Sequence, residues 1–277
     1  MGKFDGILMV SDLDATLLYH GEKPLRISEE NKAAIRYFEA EGGLFTLGTG
    51  RIPCSIAPFV EGFSLNAPVI TFNGAAIYDW DKEEYLWTLP VEDGAIRAVE
   101  YVEEHFPFAG IEIYCTDATY HSRRNEFTQQ QFDEEKIPPI VKNYREVPFP
   151  WMKVLFAQTE KETAFLRREM EKTEFFREFT LTQSGPPYYE ILNKRADKGV
   201  ALCRLAEILH IPMRRTIGVG DGLNDKEMLK AAGLGVAPKN AVPEALSAAD
   251  HIGVHCKDHL ILDIVQKLES GEITIPA

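Results

Sequence analysis

The chain has 277 residues, 45% hydrophobic and 26% charged, an ordinary composition for a globular protein able to bury a sizeable core in one or two domains. Its 30 Lys and Arg against 43 Asp and Glu leave a formal net charge of −13, which argues against a nucleic-acid or anionic-membrane binder, since both need a basic face. No apolar run reaches membrane-spanning length, no signal peptide is recognisable, and Cys54, Cys115, Cys203 and Cys256 are scattered, as expected of reduced thiols in a cytoplasmic protein.

The first element is the apolar run Ile7-Leu8-Met9-Val10, which breaks off into Ser11-Asp12-Leu13-Asp14-Ala15-Thr16. Four consecutive apolar residues suit a strand buried on both faces, as in a parallel sheet. Ligands of open α/β sheets gather at the carboxyl ends of such strands, which is where Asp12 falls. Strand alternation points Asp12 and Asp14 to the same side, and two such close charges need a cation, a shared proton or open water. Taken alone, the stretch reads equally well as an exposed turn.

Ser28 is a good N-cap for a helix over Glu29–Glu41, which Gly42-Gly43 stops. Leu44–Leu47 is a second strand, followed by Gly48-Thr49-Gly50-Arg51 and by Pro53 in the first turn of another helix. Val69–Phe72 is a third strand closed by Asn73-Gly74, and Ala75–Tyr78 with Tyr85–Thr88 reads as a hairpin. This βαβαβ rhythm predicts a doubly wound parallel sheet.

From about Pro90 the pattern changes: helix (Glu92–His105), strand (Ile111–Cys115), a polar Gln/Glu-rich segment, then Pro138-Pro139 and Pro148-Phe149-Pro150. Met152–Gln158 reads as a strand, Lys161–Lys172 as a helix, and Phe179–Thr182 and Tyr188–Leu192 as strands, which suits a small α+β domain with its own sheet. The βα rhythm resumes with the helix Lys198–Leu209 and the strand Thr216–Val219, which runs into Gly220-Asp221-Gly222-Leu223-Asn224-Asp225. The helix Lys226–Ala232, the strand Leu234–Val236 and a helix around Leu260–Leu268 complete it. The expected organisation is an α/β core, residues 1–88 and 190–277, carrying an inserted α+β domain, residues 89–189, with a cleft between them.

Three further pieces converge on the edge of the sheet that carries Asp12. Thr49-Gly50-Arg51 offers a hydroxyl and free backbone N–H groups for a phosphate, although the stretch taken alone reads better as a turn with an N-cap. Lys198 opens a helix after Asp197. Asp221 and Asp225 follow a buried strand, with glycines permitting close backbone approach.

In this order, the paired Asp, Thr-Gly-Arg, Lys and Gly-Asp-x-x-Asn-Asp resemble the four signature motifs of the haloacid dehalogenase-like phosphohydrolase superfamily. Asn73-Gly74-Ala75, Tyr189-Glu190-Ile191, Asp197-Lys198-Gly199, Gly235-Val236-Ala237 and Asn240-Ala241 are similar to the spelling of its Cof-type phosphatases, which carry a type IIB cap between the second and third motifs. Ala15 stands where glycine is usual, and Pro238-Lys239, Lys257-Asp258-His259 and Lys194-Arg195 are further departures. Lys239 reads either as a local positive charge for an anionic substrate group or as a solvent-facing lysine.

The resemblance implies a doubly wound, Rossmann-like parallel core with an α+β cap acting as a lid, and an Mg²⁺-dependent phosphatase of a small phosphorylated metabolite. It implies Asp12 as the nucleophile forming an aspartyl-phosphate, and Asp14 as the acid and then the base, which must start protonated. Lys198 would join them in catalysis. Thr16, Thr49, Gly50, Arg51, Asn73, Lys198 and Asn224 would hold the substrate, and Asp12, Asp14, Asp221 and Asp225 the metal, with Asp225 also orienting Lys198. A phosphosugar mutase of the same superfamily is the alternative, and a non-catalytic phospho-acceptor a more distant one. His121, Arg123, Arg124, Tyr188 and Tyr189 are candidate cleft residues, although ordinary surface and core placements explain each as well or better. No nucleic-acid or membrane partner is expected, and the chain is expected to be a monomer or weak homodimer.

Overall fold

The computed structural model describes residues 2–60, 63, 65–135 and 140–276, so Pro138-Pro139 lies outside the described residues. The chain separates into two compact units, Met1–Trp87 with Asp197–Ala277, and Thr88–Ala196. The first passage through unit one contains β1 (Leu8–Ser11), α1 (Glu29–Ala40), β2 (Leu44–Leu47), α2 (Pro53–Val60), β3 (Val69–Thr71), β4 (Ala76–Asp79) and β5 (Glu84–Thr88). Unit two follows with α3 (Ala95–His105), β6 (Gly110–Tyr114), β7 (Thr119–Arg123), α4 (Glu126–Glu135), β8 (Ile140–Val141), β9 (Lys153–Ala157), α5 (Glu160–Lys172), β10 (Phe179–Gly185) and β11 (Tyr188–Asn193). The chain returns through α6 (Lys198–Ile208), β12 (Thr216–Val219), α7 (Lys226–Ala231), β13 (Leu234–Pro238), α8 (Pro243–Ala248), β14 (His251–Gly253) and α9 (Leu260–Ser270).

Unit one is built on a parallel sheet in the order β14-β13-β12-β1-β2. All four residues of β1 are buried, as a strand covered on both faces requires. Leu8 and Val10 face one apolar cluster, with Ala201, Leu202 and Leu205 of α6, while Met9 faces the other, with Ile35 and Phe38 of α1 and Ile261, Ile264 and Val265 of α9. Each buried Leu or Ile is worth roughly 1.5–3 kcal/mol, so these two layers dominate the unit's stability. In α1 the Ser28 hydroxyl accepts from Asn31 N–H, Glu29 and Glu30 sit in the first turn, and Asn31, Ala34, Ile35 and Phe38 form the buried stripe. The Asn31 side chain reaches across to accept from Ile261 N–H at 3.0 Å, fastening α1 to the start of α9.

β3 departs from the expected third position in the parallel sheet. It pairs antiparallel with β4 in a separate sheet, β3-β4-β5, and a single parallel bridge, Gly48 to Ile70, connects it to the end of β2. The three-residue strand pairs along its length with the hairpin that follows, while Ile70 C=O accepts from Thr49 N–H at 2.9 Å on the side of β2.

In unit two the sheet order is β10-β11-β9-β6-β7-β8, antiparallel except for the β7–β8 pair. Ile111, Ile113, Val154, Phe156, Tyr189 and Ile191 form one core with Ala98, Val99 and Val102 of α3 and Leu166 and Met170 of α5. The alternating positions are polar yet buried: Glu112, Lys153 and Glu190 are 1%, 2% and 0% exposed. Lys153 Nζ pairs with Glu190 Oε2 at 3.1 Å, the Tyr114 hydroxyl donates to Glu112 Oε2 at 2.6 Å, and His121 Nε2 lies 3.2 Å from Glu112 Oε1. β11 hydrogen-bonds to β9 and β10, so residues 190–196 belong to unit two and the returning segment begins at Asp197 instead of 190. The polar segment after Cys115 holds β7 and α4, which lack a clear apolar period.

Candidate active site

The ends of β2, β1 and β12 lie side by side, because Ser11 is in register with Leu47 on one flank and Val219 on the other. Asp12 N–H donates to Val219 C=O at 2.7 Å and Gly48 N–H to Ser11 C=O at 2.8 Å, which carries the pairing one step past the strands. Asp12, Gly48-Thr49 and Gly220-Asp221 therefore emerge together at the carboxyl edge of the central strand.

Lys198 is wholly buried there, at the first position of α6. The Asp197 side chain caps that helix by accepting from Val200 N–H at 2.8 Å. Gly74, at φ +93°, lets the preceding turn approach so closely that a Cβ would lie 2.2 Å from the Asp197 carbonyl oxygen. Lys198 Nζ donates to Asp12 Oδ1 at 2.7 Å and to Asp225 Oδ1 at 2.5 Å. Asp225 Oδ2 accepts from the backbone N–H groups of Asp221 (3.0 Å) and Gly222 (2.8 Å), so that carboxylate is fully engaged. Burial alone would pull the lysine down, but Asp12 and then Asp225 hold it charged and above its ordinary value.

One lysine does not balance the acids around it. Burial, followed by repulsion from Asp225, pushes Asp12 well above the usual carboxylate range. Asp221 is pushed up to about 7 by burial and then by Asp225, even though Thr16 Oγ1 donates to its Oδ1 at 2.5 Å. Carboxylate oxygens of Asp12, Asp221 and Asp225 all lie within 4.8 Å of one another. This is a hard, all-oxygen donor set with surplus negative charge, and it fits a divalent cation such as Mg²⁺. With Asp225 committed to Lys198 and two backbone N–H groups, Asp12 and Asp221 are the carboxylates best placed to hold it.

Asp14 is held differently. Arg51 Nε donates to its Oδ2 at 2.7 Å and Arg51 Nη2 to its Oδ1 at 2.8 Å, and His20 Nε2 lies 3.3 Å from Oδ1. Burial favours the neutral acid, but the Arg51 hydrogen bonds and then His20 outweigh it and hold the carboxyl well below the usual range. Arg51 and His20 thus favour the ionised form of Asp14 in the substrate-free protein, whereas the role implied for it starts from the protonated acid. The fork of Arg51, expected on a phosphate, is turned to Asp14 here, with its guanidinium 5.0 Å above the Phe59 ring.

The next residue, Ala15, has φ +55°. A side chain in that left-handed region costs about 1–2 kcal/mol. The turn is closed by Leu17 and Leu18 N–H groups donating to Leu13 C=O at 3.0 and 2.8 Å.

Thr49 is 1% exposed and its hydroxyl accepts from Arg51 N–H at 3.2 Å. Asn73 N–H donates to Thr49 C=O at 3.0 Å, and Asn224 Nδ2 to Asn73 Oδ1 at 2.9 Å, so Thr49, Asn73 and Asn224 form one chain of contacts. Gly50 leaves room for it, since a Cβ there would lie 2.8 Å from Asn73 Oδ1. All the site residues expected from sequence, Asp12, Asp14, Thr16, Thr49, Gly50, Arg51, Asn73, Lys198, Asp221, Asn224 and Asp225, lie in unit one.

The candidate cleft residues of the middle segment fare differently. Tyr189 is 2% exposed in the core of unit two, His121 is buried against Glu112, and Arg123 donates to Phe106 C=O at 2.7 Å. Arg124 Nη2 donates to Gln129 Oε1 at 2.5 Å and Tyr188 is half-buried on β11. Sequence reasoning missed His20, which lies in a polar loop with no motif of its own.

A family model for haloacid dehalogenase-like hydrolases matches residues 9–264. The chain belongs to that family. Among its relatives, phosphatase YwpJ of Bacillus subtilis is 27% identical over 94% of this chain and 99% of its own. The HMP-PP phosphatase of Serratia proteamaculans is 27% identical over 94% of each chain. The solved structure of the subclass IIB sugar phosphatase BT4131 superposes with a TM-score of 0.82 at 19% identity, covering 97% of this chain and 100% of that one, which establishes the shared fold. Among the described residues of this haloacid dehalogenase-like chain, no helix is long and apolar enough to cross a membrane.

Proposed function

We propose that the chain is an Mg²⁺-dependent phosphatase that hydrolyses a small phosphorylated metabolite, such as a sugar phosphate, in the cytoplasm. The observation that carries the reading is the placement of Asp12 at the end of the central strand, bonded by buried Lys198 and within carboxylate reach of Asp221. The named activities of the relatives, on HMP-PP and on a sugar phosphate, support the substrate class.

Asp12 is the nucleophile: one of its oxygens bonds to phosphorus as the bond to the ester oxygen breaks, giving an aspartyl-phosphate. The leaving alkoxide takes a proton from Asp14. Water then attacks the phosphorus, Asp14 takes a proton from it, and inorganic phosphate departs with Asp12 restored. Asp14 must be neutral at the start, whereas Arg51 and His20 hold it ionised in the free protein. A substrate phosphate that draws Arg51 away would remove that restraint and repel the second carboxylate charge, raising Asp14 when the proton is needed.

Lys198 keeps Asp12 oriented and offsets charge on the transferring oxygens. Thr49, Gly50, Asn73 and Asn224 form the wall against which the phosphoryl group is set, and Thr16 fixes Asp221. A bound Mg²⁺, held by Asp12, Asp221 and the Asp14 carbonyl, would neutralise phosphoryl charge.

The test is a panel of phosphorylated metabolites assayed for phosphate release with Mg²⁺, using the Asp12→Asn protein as the blank. Release by the wild-type chain alone supports the reading. Equal release by both proteins, or none from any ester, overturns it.

A further inference from the structure

The segment after β13 is fastened to two loops of the site at once. Asn240 Nδ2 donates to Ala15 C=O at 2.8 Å, and Asn240 Oδ1 accepts from Cys256 N–H at 2.8 Å. Two residues on, Val242 N–H donates to Asp221 C=O at 2.9 Å. Both faces of the Asn240 amide are used, and its donor lands on the one residue of the Asp12–Thr16 turn that has left-handed φ. An amide can donate and accept at such a position; no aliphatic side chain can do either.

We propose that Asn240 is a positioning residue, which holds Ala15 in its left-handed turn and thereby sets Asp14 and Thr16 in the site. Left to itself, an alanine leaves that region, because its Cβ crowds the carbonyl oxygen. Relaxation at Ala15 swings the residues on either side of it. On one side Asp14 loses its alignment with Arg51 and His20; on the other, the Thr16 hydroxyl leaves Asp221. The hydrogen bond from Asn240 spans 225 residues of sequence and is placed by tertiary structure alone. A glycine at position 15 would sit in the same turn without strain and would need no such restraint.

The catalytic part of this inference rests on the phosphatase reading; the conformational part does not. The experiment is a two-by-two set: wild type, Asn240→Ala, Ala15→Gly and the double variant. The crystal structure of Asn240→Ala is expected to show Ala15 out of the left-handed region, and that of the double variant to keep residue 15 within it. With the best ester substrate, kcat of Asn240→Ala should fall at least tenfold with KM within threefold. The double variant should stay within threefold of Ala15→Gly alone, a rescue that a general packing defect would not give. An Ala15 that keeps its left-handed φ in Asn240→Ala overturns the proposal, and so does an equal loss of kcat in both backgrounds. If wild type hydrolyses no ester, the phosphatase reading fails and the crystal structures still decide the role of Asn240.

Discussion

Arg51 grips Asp14 with two parallel hydrogen bonds, Nε to Oδ2 at 2.7 Å and Nη2 to Oδ1 at 2.8 Å. The guanidinium plane matches the carboxylate, so the pair is rigid as well as charged. Asp14 retains 35% side-chain exposure, so its contribution to stability is discounted for solvent. Arg51→Ala should cost about 1–2 kcal/mol at pH 7. The folded pKa is depressed, so this stability is present above the unfolded carboxylate range and is lost as pH falls through it toward the folded value. Urea unfolding of both proteins should show the gap narrowing from about pH 5 downward; a gap independent of pH would count against the pairing.

Asp12 is a buried acid in excess of the cations around it. Asn at that position keeps the shape, removes the nucleophilic charge and relieves repulsion from Asp225 and Asp221, while weakening the bond from Lys198. Asp12→Asn should therefore stay folded, within about 1 kcal/mol of wild type in chelator, and release no phosphate above background. Unfolding curves and a phosphate assay on one sample check both halves.

The elevated Asp221 gives the cation site a pH signature. Its folded value of about 7 lies above the ordinary 3.8, so between these values the metal-free fold holds a proton that the unfolded chain has released, and it loses stability as pH rises from 3.8 to about 7. Mg²⁺ competes with that proton. At a hundredfold excess over its dissociation constant it should stabilise by about 2.7 kcal/mol, and a given concentration should raise Tm more at pH 8 than at pH 6. Asp221→Asn should abolish the Mg²⁺-dependent rise. A rise that survives the substitution would put the cation elsewhere.

In unit two, Lys153 and Glu190 form an ion pair with side chains 3% and 1% exposed. Desolvation makes such a pair a poor source of net stability, but removing one partner strands the other's charge. Lys153→Met alone should cost about 3–5 kcal/mol, and adding Glu190→Leu should recover most of it. Equilibrium unfolding in urea measures both; equal stability of the single variant and wild type would contradict a charged pair at that depth.

What the sequence by itself determined was local. The run of four apolar residues Ile7–Val10, just before Ser11-Asp12, announced a buried parallel strand, because a strand covered on both faces is apolar without alternation. Ser28 and Asp197 announced helix starts, because each side chain reaches its own helix's N–H groups. Asp12 and Asp221 could be read because each follows the end of a strand within two residues, and parallel strands end together; Asp14 and Asp225 were legible through the motif spelling. Tertiary structure alone decided which groups meet. Arg51 reaches Asp14 across 37 residues, Asn240 reaches Ala15 across 225, and β3 pairs with its hairpin and keeps only a parallel bridge to the end of β2. Tyr189 and Glu190 fall on opposite faces of β11, one in the apolar core and one paired with Lys153. Caps and strand alternation act within a turn or two of chain, and local sequence carries them. A two-point hydrogen bond depends on the register of separate strands and on rotamers set by packing, and these exist only once the fold has closed.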